Sequence, residues 1–568
     1  MRTLKAKKLK RAHLSAMTSA VLLAFCGGTA FAQGVPTPDA GQVLRDLNQA
    51  PPALAPQAVP LQRIEPAPDA AKATESRAIV RSIVITGNSE IPLAELQPLV
   101  AGLVGKEQSV TQLNAAARRI TLYYRSKGFA VARGYLPVQD ITDGRVTIAV
   151  IEGRIASHKI ANQSLLSDAT ASAYLADLKD GDVIRGEQID RGLLLLQDTP
   201  GVSTSRATLQ PGASPGTSEL LIEVKPGQRV FGNVTTDQYG SRYTGEYRVA
   251  GGLNIASPLG LGDLLSFNAL TSGSNLNYSR LAYQIPVGSD GLRVGIAYSD
   301  LRYKLGREFA SLDAFGTANS TTLFAAYPFL RSQFRNLSGT LSYEDKKTVD
   351  NVGATATVTP KKTGVASLGL TGNLQDSLWG GGFNSIDLSY ISGKLDIQSP
   401  TALLIDSLSA RTNGSYSKVT YGASRLQRIT NDTLVWFALT SQQAGKNLDS
   451  SEKFSLGGPS GVRAYPQGEA SGDEGYKATI ELRQALMPNL QGTLFYDMGT
   501  VRINKSTFGP AASNSRNLAG AGIGLNATLA LVQLRAALAW RVDGGLPTSL
   551  PASQVRTPTV LLQASLAF

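Results

Sequence analysis

The chain has 568 residues, a formal net charge of +12 and one cysteine. Beyond the N-terminus, no apolar run reaches the roughly 20 residues of a membrane-spanning helix, so a helical membrane protein is excluded. Because Cys26 is the single thiol, a disulfide scaffold and a thiolate metal site are excluded as well.

Residues 1–32 have the pattern of a secretory signal peptide. A basic segment from Arg2 to Arg11 precedes an apolar run, and Ala30-Phe31-Ala32 matches an A-x-A cleavage site. Six lysines and arginines and no acidic residue lie here, so removal of the segment would take away half of the net charge. The rest of the chain shows no clustered basic patch, and we therefore expect no nucleic-acid partner.

The next two segments differ in composition. Residues 33–50 are predicted to form a short helix with Val43, Leu44 and Leu47 as a narrow apolar stripe. Residues 51–75 are rich in proline, which disfavours helix and central strand, and they are predicted to be an extended linker. The alternative interpretation is a disordered leader in which the helix has no task.

Residues 76–227 are predicted to form two small α/β modules, 76–153 and 154–227. In the first module, a strand from Ile79 to Ile85 precedes two helical segments and a hairpin around Asp143-Gly144. The same order of elements, β-α-α-β-β, returns in the second module. The two modules are therefore a repeat of pattern rather than of sequence.

Residues 228–568 alternate between apolar and polar positions with a period of two, as Ile386, Leu388 and Tyr390 do on one face of a strand. We place sixteen such strands of about ten residues, which is the length and the even number of a closed outer-membrane barrel. A soluble β-sandwich also alternates, but the leader, the loop lengths and the C-terminal Phe568 favour the barrel. A terminal phenylalanine of this kind resembles the outer-membrane assembly signal. Short turns alternate with predicted long loops at 303–317, 346–363, 394–413, 442–474, 500–515 and 542–556.

Sites for chemistry are not apparent in the sequence. We find no paired carboxylates, nucleophile–base set or phosphate-binding loop at a useful spacing. Outside the leader, His158 is the one histidine, which argues against histidine-based catalysis or metal binding. We expect no enzymatic activity, no cofactor and no metal.

The informative residues lie in the longest loop and on a later strand. The loop carries Val462, Arg463, Ala464 and Tyr465, and the strand carries Gly492, Phe495 and Asp497. Because Leu494 and Tyr496 have the parity of the apolar face, Phe495 and Asp497 are predicted to face the lumen. A lumenal carboxylate can be satisfied by a cation from a loop, and Arg463 is the candidate. In the alternative interpretation both charges are simply solvated.

These residues resemble the VRG[YF] loop motif and the G-x-x-F-x-D strand motif of TpsB proteins, the outer-membrane transporters of two-partner secretion. That family is related to the barrel-assembly protein BamA. Asp190-Arg191-Gly192 through Asp198-x-Pro200-Gly201 is also similar to the second POTRA module of the family. One residue departs from the pattern: Ala464 stands where the family has glycine, so a positive φ at this position would be strained.

The resemblance implies a fold class of α+β periplasmic POTRA modules followed by a sixteen-stranded antiparallel transmembrane barrel in the outer membrane of a Gram-negative bacterium. It implies that the helix in 33–50 plugs the lumen at rest, and that loop 442–474 is anchored by Arg463 and Asp497. The expected partners are a secreted TpsA-type exoprotein, such as an adhesin or haemolysin, the lipid bilayer with its lipopolysaccharide, and the barrel assembly machinery. Whether the transporter also activates its cargo stays open at this point. The chain is expected to be a monomer.

Two other functions fit parts of the pattern. A barrel assembly factor would carry three or more modules, whereas two modules with an N-terminal helix and linker favour the transporter. A passive porin would have no need of periplasmic modules.

Overall fold

The computed structural model describes residues 37–48, 77–273, 275–509 and 513–568. The predicted signal peptide (1–32) and the predicted linker (51–75) lie outside these ranges. Within the described residues, no helix has the length and apolar character needed to cross a membrane. The first described element is helix α1 (Ala40–Asn48), which lies inside the barrel.

The first module contains the predicted order β-α-α-β-β, but the predicted strand from Ile79 to Ile85 is split in two and a further short strand lies between the helices. The elements are β1 (Arg77–Ile79), β2 (Ser82–Thr86), α2 (Leu93–Leu96), β3 (Glu107–Ser109), α3 (Val110–Ser126), β4 (Arg133–Tyr135) and β5 (Arg145–Ile151). Strand β2 pairs in parallel with β5, which pairs antiparallel with β4. A capping box starts α3: the Ser109 side chain accepts from the Gln112 amide (3.2 Å) and the Gln112 side chain accepts from the Ser109 amide (2.8 Å).

The second module repeats this topology. Its elements are β6 (Arg154–Asn162), α4 (Asp168–Ala173), α5 (Gly186–Gln197), β7 (Val202–Pro211) and β8 (Thr217–Pro226). Strand β6 pairs in parallel with β8, and β8 pairs antiparallel with β7. The helices pack on one face of the sheet, around Leu175, Leu196 and Ile222.

The remaining strands belong to the barrel and to its longest loop. They are β9 (Val230–Asp237), β10 (Arg248–Ala256), β11 (Leu264–Thr271), β12 (Leu276–Val287), β13 (Leu292–Lys304), β14 (Ala314–Arg331), β15 (Arg335–Val352), β16 (Thr357–Asp376), β17 (Gly382–Ile397), β18 (Gly414–Arg428), β19 (Thr433–Ala444), β20 (Phe454–Ser455), β21 (Ser471–Gly472), β22 (Glu474–Met487), β23 (Leu490–Arg502), β24 (Ser515–Leu529), β25 (Val532–Asp543) and β26 (Thr559–Ala567).

Within the described residues, sixteen of these strands form a closed antiparallel barrel in which each strand pairs with the next and β26 pairs with β9. Phe568 takes part in the closure, because its amide donates to the Gly232 carbonyl (3.0 Å) and its carbonyl accepts from the Gly232 amide (2.9 Å). The two short strands β20 and β21 pair with each other inside the longest loop and are not part of the barrel.

One predicted loop is wrong. Most of 346–363 is strand, because β15 and β16 stay in continuous register up to the pair Val352↔Thr357 and only residues 353–356 connect them. These strand ends project past the length that crosses a bilayer, and polar residues such as Lys346 and Lys347 occupy both of their faces, so the usual alternation is lost. The predicted loop 394–413 likewise contains the end of β17 and a helix, α6 (Pro400–Leu408).

The first module contains a carboxylate whose hydrogen bonds join three elements. Glu152 is buried and accepts from the Glu90 amide (2.7 Å), the Tyr124 hydroxyl (2.9 Å) and the Ser89 hydroxyl. Burial acts to raise the pKa of the Glu152 carboxyl, but these hydrogen bonds outweigh it and hold the pKa below its ordinary value. The charged form therefore stabilises the module above about pH 4.3, and this stabilisation is lost as the pH falls through the lowered pKa.

We predict that Glu152→Gln destabilises the first module by about 1–3 kcal/mol at neutral pH, because hydrogen bonds to a buried charge are lost. Hydrogen exchange of the α3 amides in the full chain would measure the loss. Glu95→Gln is the matched control, since the Glu95 carboxylate is solvent-exposed and binds Tyr123 and Lys127 at the surface. Equal exchange in the two variants would contradict the prediction.

Candidate functional site: the loop-filled lumen

The longest loop, 445–473, turns into the barrel and brings Arg463 to Asp497 on β23. The Arg463 Nε lies 2.8 Å from Asp497 Oδ2, and Nη2 lies 2.7 Å from Oδ1. The Arg463 backbone amide also donates to Oδ2 (3.2 Å). Asp497 is only 1% exposed, so this bidentate pair is buried rather than solvated. The contact predicted from the parity of β23 is present, whereas the role assigned to the motif stays a prediction.

Two further groups hold the same guanidinium. Nη1 of Arg463 donates to Oε1 of Glu481 (2.7 Å), and the Arg463 Cζ lies 3.5 Å from the centre of the Phe495 ring. A cation stacked on an aromatic face gains additional stabilisation when both are desolvated. The sequence reasoning placed Phe495 in the lumen but missed Glu481. The signal was available, because Glu481 lies on the lumenal face of β22, directly opposite Phe495.

The Asp497 carboxylate is shared with β22, and a neighbouring lysine on that strand holds the loop backbone. Thr479 Oγ1 donates to Asp497 Oδ1 (2.9 Å), and the Lys477 ammonium donates to the Ser460 carbonyl (2.7 Å). The tip is therefore held both through its arginine and through its main chain.

The strain expected at Ala464 is absent. Ala464 is not among the non-glycine residues with positive φ, so alanine fits its backbone here. Its Cβ instead fills a space on the barrel wall, since a Cβ added to Gly520 of β24 would lie 2.6 Å from it. The next loop residue, Tyr465, is buried, and its hydroxyl donates to the carbonyls of Asp543 (2.7 Å) and Gly545 (2.9 Å). The tip thus contacts five consecutive strands, β22 to β26, the last through the Thr559 hydroxyl, which donates to the Ala464 carbonyl (3.0 Å).

The other members of the predicted motifs are placed as follows. Val462 is buried in the apolar cluster around Leu456, Phe495 and Leu518. Gly492 lies near the start of β23, where an added Cβ would lie 3.2 Å from the Leu486 side chain. It therefore has no contact with the loop tip. Phe568 is half exposed at the end of the chain.

The loop has a second anchor, which the sequence analysis did not predict. Glu452 is buried between Lys346 of β15 (2.8 Å) and Lys418 of β18 (3.0 Å), and Asp449 pairs with Lys361 of β16 (2.7 Å). We call residues 449–452 the loop base. Lys346 and Lys361 lie within the predicted loop 346–363, so their alternation could not be assigned to a lumenal face.

Helix α1 lies between the barrel wall and the loop base. Its Val43 and Leu44 are buried against Leu301 and Tyr303 of β13, and Leu47 is partly buried in the same cluster. The apolar stripe predicted from the sequence is thus the face that packs on the wall.

Polar contacts fix the start of α1. Asp39 accepts from the Gln42 amide (2.8 Å) and from the Ser450 hydroxyl (2.6 Å), and Asp350 of β15 accepts from the Ala40 amide (2.8 Å). The Arg45 guanidinium donates to the Ser450 carbonyl (2.9 Å). The N-terminal helix and the loop base are therefore bonded to each other as well as to the wall.

Comparison with known proteins agrees with this architecture. Residues 216–527, more than half of the chain, match the family described as haemolysin secretion/activation protein ShlB/FhaC/HecB, and residues 78–153 match the ShlB-type POTRA domain. The chain belongs to this family. It is an outer-membrane transporter of two-partner secretion, with its POTRA modules on the periplasmic side. The short barrel turns beside the modules are therefore periplasmic, and the long loops begin at the extracellular end, from which loop 445–473 folds into the lumen.

Individual relatives cover most of the chain. The heme/hemopexin transporter protein HuxB of Haemophilus influenzae (strain 86-028NP) is 28% identical over 452 residues, covering 78% of this chain and 80% of the relative. The hemolysin transporter protein ShlB of Serratia marcescens is 25% identical over 496 residues, covering 84% of each chain. The structure of CdiB from Escherichia coli shares the fold, with a TM-score of 0.70 and 20% identity over 93% of this chain and 96% of that chain.

We predict that Arg463→Ala frees the loop tip while the barrel stays closed. Removing one partner of a buried ion pair costs about 3–5 kcal/mol, because the remaining carboxylates lose their compensating charge. The measurement is protease cleavage within 445–473 in intact outer membranes, which should rise. Arg502→Ala, on the strand that carries Asp497, is the control, since Arg502 is half exposed and pairs only loosely with Glu474 (3.5 Å). A tip as resistant as in the parent protein would contradict the anchoring role.

Proposed function

We propose that this transporter carries one large TpsA-type exoprotein from the periplasm to the cell surface, acting as a monomer. The POTRA modules receive the unfolded chain, the barrel lumen conducts it, and the chain folds outside. Folding of the emerging chain buries apolar surface and can supply direction where ATP is absent. Relatives are named for heme/hemopexin and hemolysin transport, which supports a cargo of the same secreted class.

The observation that carries the proposal is the position of two segments inside the barrel. Helix α1 and loop 445–473 both pack on the inner wall and are joined to each other through Asp39, Arg45 and Ser450. A pore that must pass a polypeptide needs its occluding parts to be removable. The contacts of α1 are of that kind, since the helix has only nine residues and is held by one apolar face and a few hydrogen bonds. We therefore assign α1 as a plug that leaves during transport.

The sheet edges of the POTRA modules are the surface we assign to capture of the exoprotein. In each module the three-stranded sheet has two edge strands, which are β2 and β4 in the first module and β6 and β7 in the second. An extended chain can add to such an edge through main-chain hydrogen bonds, which suits an unfolded substrate of varied sequence.

Deletion of residues 37–48 tests the plug. We expect a higher mean conductance in planar bilayers, because the cross-section filled by α1 becomes water. Leu44→Asp should act in the same direction, since it places a charge on the buried face, whereas Thr37→Asp adds the same charge at an exposed position and should leave conductance low. Unchanged conductance after deletion would contradict the assignment of α1 as a plug.

A further inference from the structure

Three arginines join the second POTRA module to the barrel. The resemblance to the TpsB family assigns no role to these three residues. Asp198 follows helix α5, and its carboxylate accepts two hydrogen bonds from Arg331 at the end of β14. The Nε–Oδ2 distance is 2.6 Å and the Nη2–Oδ1 distance is 2.8 Å. This is the bidentate geometry that gives an arginine–carboxylate pair a fixed direction.

Both the barrel and the module donate hydrogen bonds across the interface. From the barrel, Arg293 of β13 donates to the Asp198 backbone carbonyl (2.7 Å). From the module, Arg191 of α5 donates to the carbonyls of Asp290 (3.4 Å) and Pro328 (3.3 Å). The module is thus bonded to two neighbouring periplasmic turns.

Arg331 is oriented by its own turn. Its remaining nitrogen, Nη1, donates to the Ser332 carbonyl (3.1 Å) and to the Asn336 side chain (3.0 Å). The guanidinium plane is therefore set by the barrel, and its other edge points to Asp198. A lysine could not hold this fork geometry, because its ammonium is a single rotatable donor group.

Close packing accompanies the charges. Gly291 lies in the turn before β13 with φ of +90°, and a Cβ there would lie 2.7 Å from both Leu195 of α5 and Pro328. The absence of a side chain at Gly291 lets α5 approach the barrel closely enough for the arginines to reach.

These contacts lie far from the covalent link between the second module and the barrel, so they can restrict rotation of the module about that link. Only residues 227–229 connect β8 to β9, so the covalent link alone would allow the module to swing. Beside this link, the Ser167 amide donates to the carbonyl of Gly260 (2.8 Å), which lies in the turn between β10 and β11. Arg331 lies five strands away from β9, roughly 24 Å around the barrel at the usual strand spacing.

We propose that Arg191, Asp198, Arg293 and Arg331 form a docking latch that fixes the orientation of the second POTRA module beneath the lumen entrance. The proposal rests on the transport function above and adds a positioning role for these residues in it. The Arg331–Asp198 side chains are partly exposed, so the pair contributes little to global stability. Loss of the latch should therefore change the direction in which a captured chain is delivered, while the barrel still folds.

The test exchanges the charges of the Arg331–Asp198 pair and measures the orientation of the module as the distance between two spin labels. Spin labels at Thr208 on β7 and Asn431 in a distant periplasmic turn report the orientation of the module; both positions are exposed. We expect one narrow distance distribution for the parent protein, broad distributions for Asp198→Arg and for Arg331→Asp, and a narrow distribution again for the double variant. Arg335→Asp is the control, because it makes the same charge change at an exposed position beside the same turn.

Secretion is measured in strains that carry the same charge variants without the label sites, by mass spectrometry of large exoproteins in the culture supernatant. Each single variant should lower secretion about tenfold, the size of coupling that one charged contact can supply, and the exchange should restore most of it. Outer-membrane levels of the variants should stay near those of the parent.

Narrow distances in the single variants, or broad distances with unchanged secretion, would overturn the latch. So would an exchange that fails to restore the distance distribution. Failure of the transport function is recognised separately, because the parent strain itself would then release no dependent exoprotein. In that case the distance measurement still decides whether the latch fixes the module.

Discussion

The buried guanidinium of Arg463 is the interaction on which the rest of the lumen depends. A charge this far from water is tolerated only where its partners compensate it, and here two carboxylates and an aromatic face do so. Because both carboxylates belong to the barrel wall, the loop tip can occupy only one place. The loop then supplies the surface on which Ser450 meets α1. Helix α1 in turn takes its position from the wall of β13 and from the loop base, whose own wall partners are Lys346, Lys361 and Lys418.

The loop is held at two separate places with different partners. Its tip binds β22 and β23 through Arg463, whereas its base binds β15, β16 and β18 through Glu452 and Asp449. Helix α1 hydrogen-bonds to the base through Asp39 and Arg45, and the tip lies outside these contacts. The hydrogen bonds that hold α1 on the base and those that hold Arg463 on the wall therefore share no residue.

Much of this could be predicted from the sequence, because a period of two assigns each residue to a face of the sheet. Parity placed Asp497 in the lumen, and the cation on the Gly/Pro-rich loop tip was its natural partner. The alternation could not assign residues 346–363 to faces of the sheet, because these strand ends lie beyond the membrane. Lys346 there faces the loop base rather than water. The alternation also could not show that Gly520 makes room for Ala464, since that fit joins residues far apart in the chain. The latch at Asp198 was visible only as a family motif, because its partners Arg293 and Arg331 lie on other strands.

The central claim is that the chain is a dedicated secretion pore. Quantitative proteomics of the culture supernatant and outer membrane, comparing the native host with an in-frame deletion, tests it most directly. The account predicts the loss of one large exoprotein from the supernatant, with the other outer-membrane barrels unchanged. Broad depletion of outer-membrane barrels would contradict it and indicate an assembly factor instead.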